Sequence, residues 1–368
     1  MSAKQTALVT GANGFLGAAV VKELRRRGWH ARALVRTGSN VARLAGVDAD
    51  IVSGDVTDAA SLERAVVGCD VVIHCAAATG LKRTWQECRS INVEGTANVL
   101  DAAARAGLAR VVNVSSLSVY GMKPGCYDEG APLRRENDAY GDTKIEAEEL
   151  CRRRHEAGGV AVSTVRPALI VGPGDTGFFP MFLGMLRRRR FPLLGGGRAS
   201  ARLVFVDDVA ELLVTCAEHP DAAGESYNCC AAGDLSWRAF AEQVADHHGW
   251  PRPKLSLPAA PLYGIAAVLE RLERRGFFRE SAPLRRSELE LLVEERTYPM
   301  AKAEGQLGFR PRHSAAECVA ATLTGADVAG APRRALDLTW KEPTAPSDGV
   351  DVLPAAPSPD GSGDGAHA

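Results

Sequence analysis

A glycine-rich turn near the N-terminus constrains the fold more than any other feature of this chain. The stretch Thr6–Gly17 has the sequence T-A-L-V-T-G-A-N-G-F-L-G, which predicts a buried strand over Ala7–Val9 and a helix over Gly14–Arg27. Gly28 follows at the position where a glycine commonly ends a helix. The glycines permit a tight turn and close approach of backbone to a phosphate at a helix N-terminus. The spacing is G-x-x-G-x-x-G rather than G-x-G-x-x-G, so by itself the turn also fits an ordinary glycine-rich loop.

Apolar runs and amphipathic segments alternate through the first half of the chain, a pattern typical of βαβ units and a parallel sheet. Further strands are predicted over His30–Val35, Ile51–Ser53, Val71–His74, Val111–Val114 and Val160–Val165, and helices over Ala59–Val67, Arg83–Ala106 and Asp138–Glu156. A strand over Leu203–Val206 is expected to return to the main sheet, and most later segments are helical. The predicted class is α/β, a Rossmann-type doubly wound parallel sheet with a smaller, discontinuous, mostly helical C-terminal lobe.

The same pattern predicts the domain organisation. Residues 1–171, with a returning segment at about 203–228, are expected to form a dinucleotide-binding domain. Residues 172–202 and 229–330 are expected to form a substrate-binding lobe. The substrate pocket would be lined by Thr79–Trp85, Phe178–Phe182 and Leu262–Phe278, although their apolar content fits core packing equally well. Residues 331–368 are rich in Ala, Pro, Gly, Ser and Asp, a composition that predicts a disordered tail because it buries too little apolar surface.

Charge and cysteine content narrow the possible partners. The 44 basic and 45 acidic residues nearly cancel, so no overall basic surplus indicates nucleic-acid binding. Nine cysteines without a C-x-x-C pair favour free thiols in a reducing compartment over disulfides or a metal site. The start of the chain has no signal-like stretch, and the longest apolar run of the second half falls short of the ~20 residues that span a bilayer. A cytoplasmic protein without a membrane span is therefore expected.

The ends of the predicted strands carry residues suited to a dinucleotide. The second strand ends at Arg36, where an acid would bind a ribose 2′-hydroxyl and an arginine suits a 2′-phosphate; this favours NADP over NAD, although a solvated arginine at a strand end is the alternative. The third strand leads into Asp55 and Val56, and the fourth into Ala76 and Ala77. Small residues at the carboxyl end of a parallel strand leave room for a ligand that lies across the sheet.

Tyr140 and Lys144 are four residues apart on a predicted helix and therefore share one face. A phenol has an ordinary pKa of about 10, and a nearby ammonium that lowers this pKa by about 2–3 units makes the phenol a useful acid–base group. Ser116, at the end of the neighbouring strand, is positioned to hold a substrate oxygen against the phenol. A lone Y-x-x-x-K also fits a solvated helix face, but its combination with the glycine-rich turn and the Ser-Ser strand end favours catalysis.

Eight short motifs, taken in order, resemble the extended branch of the short-chain dehydrogenase/reductase superfamily. They are T-G-A-N-G-F-L-G, G-D-V-T-D, H-C-A-A, N-V-E-G-T, S-S-L-S-V-Y-G, Y-G-D-T-K, R-P-A-L-I-V-G-P-G and F-V-D-D-V-A. The resemblance implies that Ser116, Tyr140 and Lys144 are the catalytic trio and that Lys144 also binds the nicotinamide ribose. It further implies that Asn92 faces the active site from its helix, the alternative being a buried asparagine that only packs.

The same resemblance implies the remaining cofactor contacts. Asp55 and Val56 would lie at the adenine, Ala76 and Ala77 along the cofactor, and Pro167 beside the nicotinamide. The glycine-rich turn would contribute Gly11, Asn13, Gly14, Phe15, Leu16 and Gly17. A homodimer formed through the helices predicted over Arg83–Ala106 and Asp138–Glu156 is also a family expectation.

Within this branch the chain looks most like the 3β-hydroxysteroid dehydrogenase-like and dihydroflavonol reductase-like members. Nucleotide-sugar epimerases and dehydratases usually carry Arg-Asp-Phe just before the V-D-D element, whereas this chain has Ala201-Arg202-Leu203. The resemblance therefore implies an NAD(P)-dependent oxidoreductase acting on a carbonyl or secondary alcohol of a mainly apolar small molecule. The alternatives are a nucleotide-sugar epimerase or dehydratase with tightly bound NAD, and a non-catalytic NAD(P)-sensing regulator, against which the intact trio argues.

Overall fold

The computed structural model describes residues 5–79, 83–273, 275, 277 and 284–328. Its strands are β1 (Thr6–Thr10), β2 (His30–Val35), β3 (Asp50–Ser53), β4 (Val71–His74), β5 (Arg110–Val114), β6 (Gly125–Cys126), β7 (Ala161–Pro167), β8 (Leu169–Val171), β9 (Leu193–Leu194), β10 (Leu203–Phe205), β11 (Ser226–Cys229), β12 (Ser256–Leu257) and β13 (Arg296–Thr297). Seven of them form one parallel sheet in the order β3-β2-β1-β4-β5-β7-β11. The chain therefore winds outward in both directions from β1 and β4, which places a crevice at their carboxyl ends.

The helices alternate with these strands and then dominate the second lobe. They are α1 (Phe15–Arg26), α2 (Ala59–Ala65), α3 (Trp85–Arg89), α4 (Gly95–Arg105), α5 (Ala139–Glu156), α6 (Phe178–Arg187), α7 (Val206–Glu218), α8 (Trp237–His247), α9 (Ala259–Glu273), α10 (Arg286–Val293), α11 (Ala301–Leu307) and α12 (Ala315–Val328). Among the residues described above, no helix is long and apolar enough to cross a membrane.

The central sheet is covered on both faces, and β1 shows how its side chains divide. Ala7 and Val9 point into the apolar cluster that includes α1 and α7, whereas Leu8 points into the cluster on the side of α2 and α4. Alternate side chains of a strand point to opposite faces, so a strand that is buried on both sides must be apolar throughout. This confirms the predicted Rossmann-type class.

A separate apolar cluster builds the second lobe. The rings of Phe182 and Phe240 stack with centroids 4.3 Å apart, joining α6 to α8, and both side chains are completely buried. Two-stranded parallel pairs, β8 with β10 and β9 with β12, complete this region. The predicted boundaries between the two lobes stay predictions, and the tail predicted over residues 331–368 lies outside the described residues.

The prediction that the strand over Leu203–Val206 returns to the main sheet is wrong. β10 pairs with β8 in a small parallel sheet, and the strand that joins the main sheet at the edge beside β7 is β11. The sequence did not predict β11, because Ser-Tyr-Asn-Cys is short and half polar. The helix α12 was not predicted either. An apolar run indicates a buried strand, but only long-range contacts decide which strand it pairs with.

The long helix predicted over Arg83–Ala106 is also interrupted. It begins at Trp85 after a capping box from Thr84, and residues 90–94 form a wider π-helical turn before α4 continues. Such single π turns are rare in helices and often lie beside functional sites. Here the turn carries Asn92.

The turn before α1 leads to a first testable outcome. A β-carbon at Gly17 would overlap the carbonyl oxygen of Gly11, so Gly17→Ala requires the helix to move away from β1. We expect a loss of about 1–3 kcal/mol in the free energy of unfolding, measured by thermal and denaturant unfolding. The matched control is Gly184→Ala in α6, where a β-carbon meets open space and alanine should be neutral or stabilising. Equal effects of the two substitutions would contradict this account of the turn.

Candidate active site

The glycine-rich turn lies at the crevice between β1 and β4. Gly11 has a left-handed φ of +63°, and a β-carbon there would lie 2.9 Å from backbone atoms of Ala76. Ala76 also donates its N–H to the hydroxyl of Thr10 over 3.2 Å. The turn is therefore held against the loop that follows β4, and only glycine allows this approach.

The start of α1 has the features of an anion site. Gly14 precedes the helix in an extended conformation and supplies no side-chain cap, and the first turn of the helix carries no acidic residue. The first N–H groups of a helix lack partners within the helix and lie at the positive end of its dipole. Phe15 and Leu16 pack against the core beneath, while Asn13 donates to the carbonyl of Asn40 over 3.1 Å. A pyrophosphate suits this helix N-terminus, because the N–H groups without helical partners and the positive end of the dipole attract an anion.

Residues predicted at the far end of the cofactor surround the ends of β2 and β3. Arg36 is exposed, and within the described part of the chain its guanidinium has no acidic partner. The Asp55 carboxylate accepts from the N–H and the hydroxyl of Thr57, at 2.9 and 2.8 Å. Val56 is buried and its carbonyl accepts from the Asn98 side chain over 2.9 Å. Arg36 and Val56 thus follow the ends of two paired strands, β2 and β3.

The three predicted catalytic side chains meet at the end of β5. The Lys144 ammonium is buried and donates to the carbonyl of Val114 over 2.8 Å. Ser116 follows two residues after Val114, accepts from the N–H of Ser118 over 3.1 Å, and its hydroxyl is close enough to the Tyr140 phenol to favour the phenolate. The end of β5 therefore lies beside both predicted site residues of α5, Tyr140 and Lys144.

The pKa of Tyr140 differs in direction from the sequence-based prediction. Burial raises it to about 12 because it penalises the phenolate, while the nearby Ser116 hydroxyl acts in the opposite direction. The expected lowering by Lys144 is wrong for this arrangement, since the ammonium is directed at the Val114 carbonyl. Burial also lowers the pKa of Lys144 itself to about 8. The phenol is therefore protonated at neutral pH and is a proton donor.

Asn92 is buried, and its side chain hydrogen-bonds other buried groups of the protein. Its Oδ1 accepts from the N–H of Ala78 over 2.8 Å, and its Nδ2 donates to the Thr143 hydroxyl over 3.0 Å. Ala78 ends the small-residue loop after β4, and Thr143 precedes Lys144 on α5. The prediction that Asn92 faces the active site does not match these contacts. Its side chain instead positions the loop that contains Ala76 and Ala77 against the catalytic helix.

Sequence reasoning missed the contribution of His74, the last residue of β4. Its ring is buried and bonds the Thr10 hydroxyl at 2.7 Å and the Thr96 hydroxyl at 3.1 Å. Burial, with a smaller effect from the Lys144 charge, lowers the pKa of His74 to about 3, so the imidazole is neutral. The sequence signal that could have identified His74 is a polar residue at the end of an otherwise apolar strand.

The remaining predicted residues lie at the end of β7 and in the second lobe. Pro167 ends β7 and is buried beside Cys229 of β11. Phe179 and Phe182 belong to the core of the lobe rather than to an open pocket, which corrects part of the predicted lining. Ala201 is buried, and Arg202 forms ion pairs with Asp234 and Glu295.

Comparison with known proteins agrees with this architecture. Residues 7–230 match the NAD dependent epimerase/dehydratase family. A 4-hydroxy-2-methyl-3-oxo-4-farnesyl-3,4-dihydroquinoline-1-oxide ketoreductase from Stigmatella aurantiaca is 32% identical over 307 residues, which cover 83% of this chain and 91% of the relative. A 3 beta-hydroxysteroid dehydrogenase/Delta 5→4-isomerase from Mycobacterium tuberculosis is 34% identical over 328 residues, covering 83% and 85% of the two chains.

A solved structure extends the likeness to the whole described fold. The dTDP-glucose 4,6-dehydratase from Streptomyces venezuelae, crystallised with NAD, superposes with a TM-score of 0.71 at 26% identity and covers 87% of this chain and 96% of that one. The family match alone includes the glycine-rich turn, the sheet and the catalytic helix. The chain belongs to the NAD dependent epimerase/dehydratase family, the extended short-chain dehydrogenases/reductases, and is similar to 3β-hydroxysteroid dehydrogenase-like members.

Proposed function

We propose that this protein is an NAD(P)-dependent reductase or dehydrogenase that interconverts a carbonyl and a secondary alcohol on a mainly apolar small molecule. The observation that carries the proposal is the half-buried Tyr140 phenol beside the Ser116 hydroxyl and one turn before the buried Lys144 ammonium, at the carboxyl end of the sheet. When bound, the nicotinamide supplies or takes up a hydride. The ketoreductase and steroid dehydrogenase relatives support the apolar substrate class.

The protein's own residues divide the remaining work of ketone reduction. Ser116 donates a hydrogen bond to the substrate oxygen and so holds it against the phenol. Tyr140 gives its proton to that oxygen as negative charge develops there, a transfer worth about 10²–10⁴-fold in rate for a well-positioned acid. The Lys144 ammonium, held by the Val114 carbonyl, contributes fixed positive charge beneath this position.

The second lobe favours a reductase over a nucleotide-sugar epimerase. Holding a diphosphate calls for arginine or lysine aimed at its oxygens. The residue nearest in sequence to the family's usual arginine is Arg202, and both ends of its guanidinium are engaged by Asp234 and Glu295. Ala201 offers no charge. The nucleotide-sugar function remains the second candidate because Arg198 and the run Arg187–Arg190 are exposed in the same lobe.

Three finer expectations belong to this proposal. NADP is the preferred cofactor because Arg36 is an exposed cation without an acidic partner in the described chain. A homodimer forms through the helical segments predicted over Arg83–Ala106 and Asp138–Glu156, as expected of the family. The protein works in the cytoplasm, since all nine of its cysteines are free thiols and a reducing compartment keeps them so.

The function is tested by following NADPH absorbance during turnover with a hydrophobic ketone. We expect a net, stoichiometric loss of NADPH, and a fall of about 10²-fold or more in Tyr140→Phe with cofactor binding retained, because the proton donor is removed. Tyr227→Phe is the matched control, since its hydroxyl bonds Gln306 away from the trio. Purified protein that carries tightly bound NAD and converts a nucleotide sugar without net cofactor change would show that the reductase proposal is wrong.

Cofactor choice is tested separately with Arg36→Ala. Removing a cation that pairs with a 2′-phosphate should raise the KM for NADPH by about tenfold or more, since charge-assisted hydrogen bonds are worth about 1.5–3 kcal/mol. The KM for NADH should stay within about twofold, because NADH lacks that phosphate. Parallel steady-state titrations measure both. Equal losses for the two cofactors would mean that Arg36 does not select between them.

A further inference from the structure

The helix α9 is apolar on both of its sides. Ala266 is fully buried in a small cluster with Leu194 and Leu289, and Tyr263 donates to Glu294 over 3.0 Å, so this side packs against α10. On the other side Ile265 and Val268 are 50% and 59% exposed. A surface helix of a globular protein normally presents polar residues outward, so the outer side of α9 is suited to a partner.

A third exposed apolar residue connects this helix to a basic segment. Leu255 is 57% exposed, and its carbonyl accepts from the N–H of Leu193 over 2.9 Å. The chain enters Leu193 from the run Arg187–Arg190 and leaves Leu255 through β12 into α9. The basic run and the apolar side of α9 therefore flank the same pair of short strands.

Charge is segregated in this region although the whole chain is nearly neutral. Residues 176–202 contain six arginines and no acid, and residues 248–269 contain Arg252 and Lys254 and no acid. Two of these cations are paired with acids outside the two segments, Arg202 with Asp234 and Glu295, and Arg252 with Asp246. Arg187–Arg190 and Lys254 are exposed, and none of them has an acidic partner in the described chain. Elsewhere on the surface arginines are commonly paired, as Arg105 is with Glu63 at 2.9 Å.

The backbone at Arg189 takes a conformation that glycine adopts easily, which allows this charge to be removed without strain. α6 ends with the Arg189 N–H on Leu186 and the Arg190 N–H on Met185, at 2.9 and 2.8 Å. This pair of hydrogen bonds requires a left-handed backbone at the residue after the helix cap, a position that glycine usually occupies. Arg189 takes that position with a φ of 54°, so the chain carries a cation where glycine would be the more stable choice.

We propose that this face of the second lobe, formed by Arg187–Arg190, Lys254, Leu255, Ile265 and Val268, docks on an anionic lipid surface. The arginines bind lipid phosphates, and the apolar side chains enter the boundary between headgroups and acyl chains. The match between clustered positive charge and exposed apolar side chains selects a membrane surface over a neutral protein partner. The contact is peripheral and reversible.

The proposal is tested by co-sedimentation of the full chain with vesicles. We expect binding to vesicles that contain phosphatidylglycerol, little binding to phosphatidylcholine alone, and release at about 0.5 M NaCl because salt screens the attraction. Arg188→Glu with Arg190→Glu should lower the partition coefficient by about tenfold or more, since each basic residue near such a surface contributes severalfold. Ile265→Ser with Val268→Ser should also weaken it. The matched control is Arg64→Glu with Val67→Ser on and beside α2, which are likewise exposed and should bind as the unsubstituted protein does.

Arg189→Gly separates docking from folding. It should weaken vesicle binding while leaving the Tm unchanged or raising it, because glycine suits the left-handed position. No binding to anionic vesicles at low salt, or equal losses in the control, would overturn the proposal. Light scattering without vesicles measures the molar mass of the protein and of the Ile265→Ser, Val268→Ser variant. If the two substitutions convert a dimer to a monomer, this face binds a second copy of the chain and the lipid proposal is wrong.

Discussion

One buried hydrogen bond, from the Lys144 ammonium to the Val114 carbonyl, determines how the catalytic helix meets the sheet. A buried ammonium is costly unless it is hydrogen-bonded, and here the partner is the last residue of β5. The bond fixes the height of α5 above that strand end, so Tyr140, one turn earlier on the helix, reaches the Ser116 hydroxyl. The geometry of the proton donor therefore depends on a residue that need not itself transfer a proton.

The loop after β4 is held from two sides, which joins the cofactor cradle to this helix. On the side of β1, Gly11 lies against the backbone of Ala76. On the side of α4, the Asn92 side chain hydrogen-bonds both the backbone of Ala78 and the hydroxyl of Thr143 in α5. A rigid support of this kind places reacting groups more precisely than flexible loops do. A change in the glycine-rich turn should consequently be felt at the catalytic helix.

How much could be predicted from the sequence depended on how local each signal was. The parallel sheet, the turn at Gly11 and the spacing of Tyr140 and Lys144 follow from short-range patterns. The sheet position of β11 and the hydrogen bonds of Asn92 depend on residues far away in sequence, and periodicity carries no information about them. The predicted lowering of the Tyr140 pKa was wrong for the same reason. Burial of the phenol and the direction of the Lys144 ammonium are properties of the folded chain.

The pH dependence of kcat/KM for ketone reduction, compared between the unsubstituted protein and Lys144→Met, tests the central role of Lys144 most directly. Burial lowers the pKa of this ammonium to about 8 and raises that of the Tyr140 phenol to about 12. Reduction should therefore decline as pH rises above about 8, where Lys144 loses its charge while Tyr140 still holds its proton. In Lys144→Met, with folding verified by circular dichroism, activity should be low and this decline absent. The same decline in Lys144→Met would contradict the account.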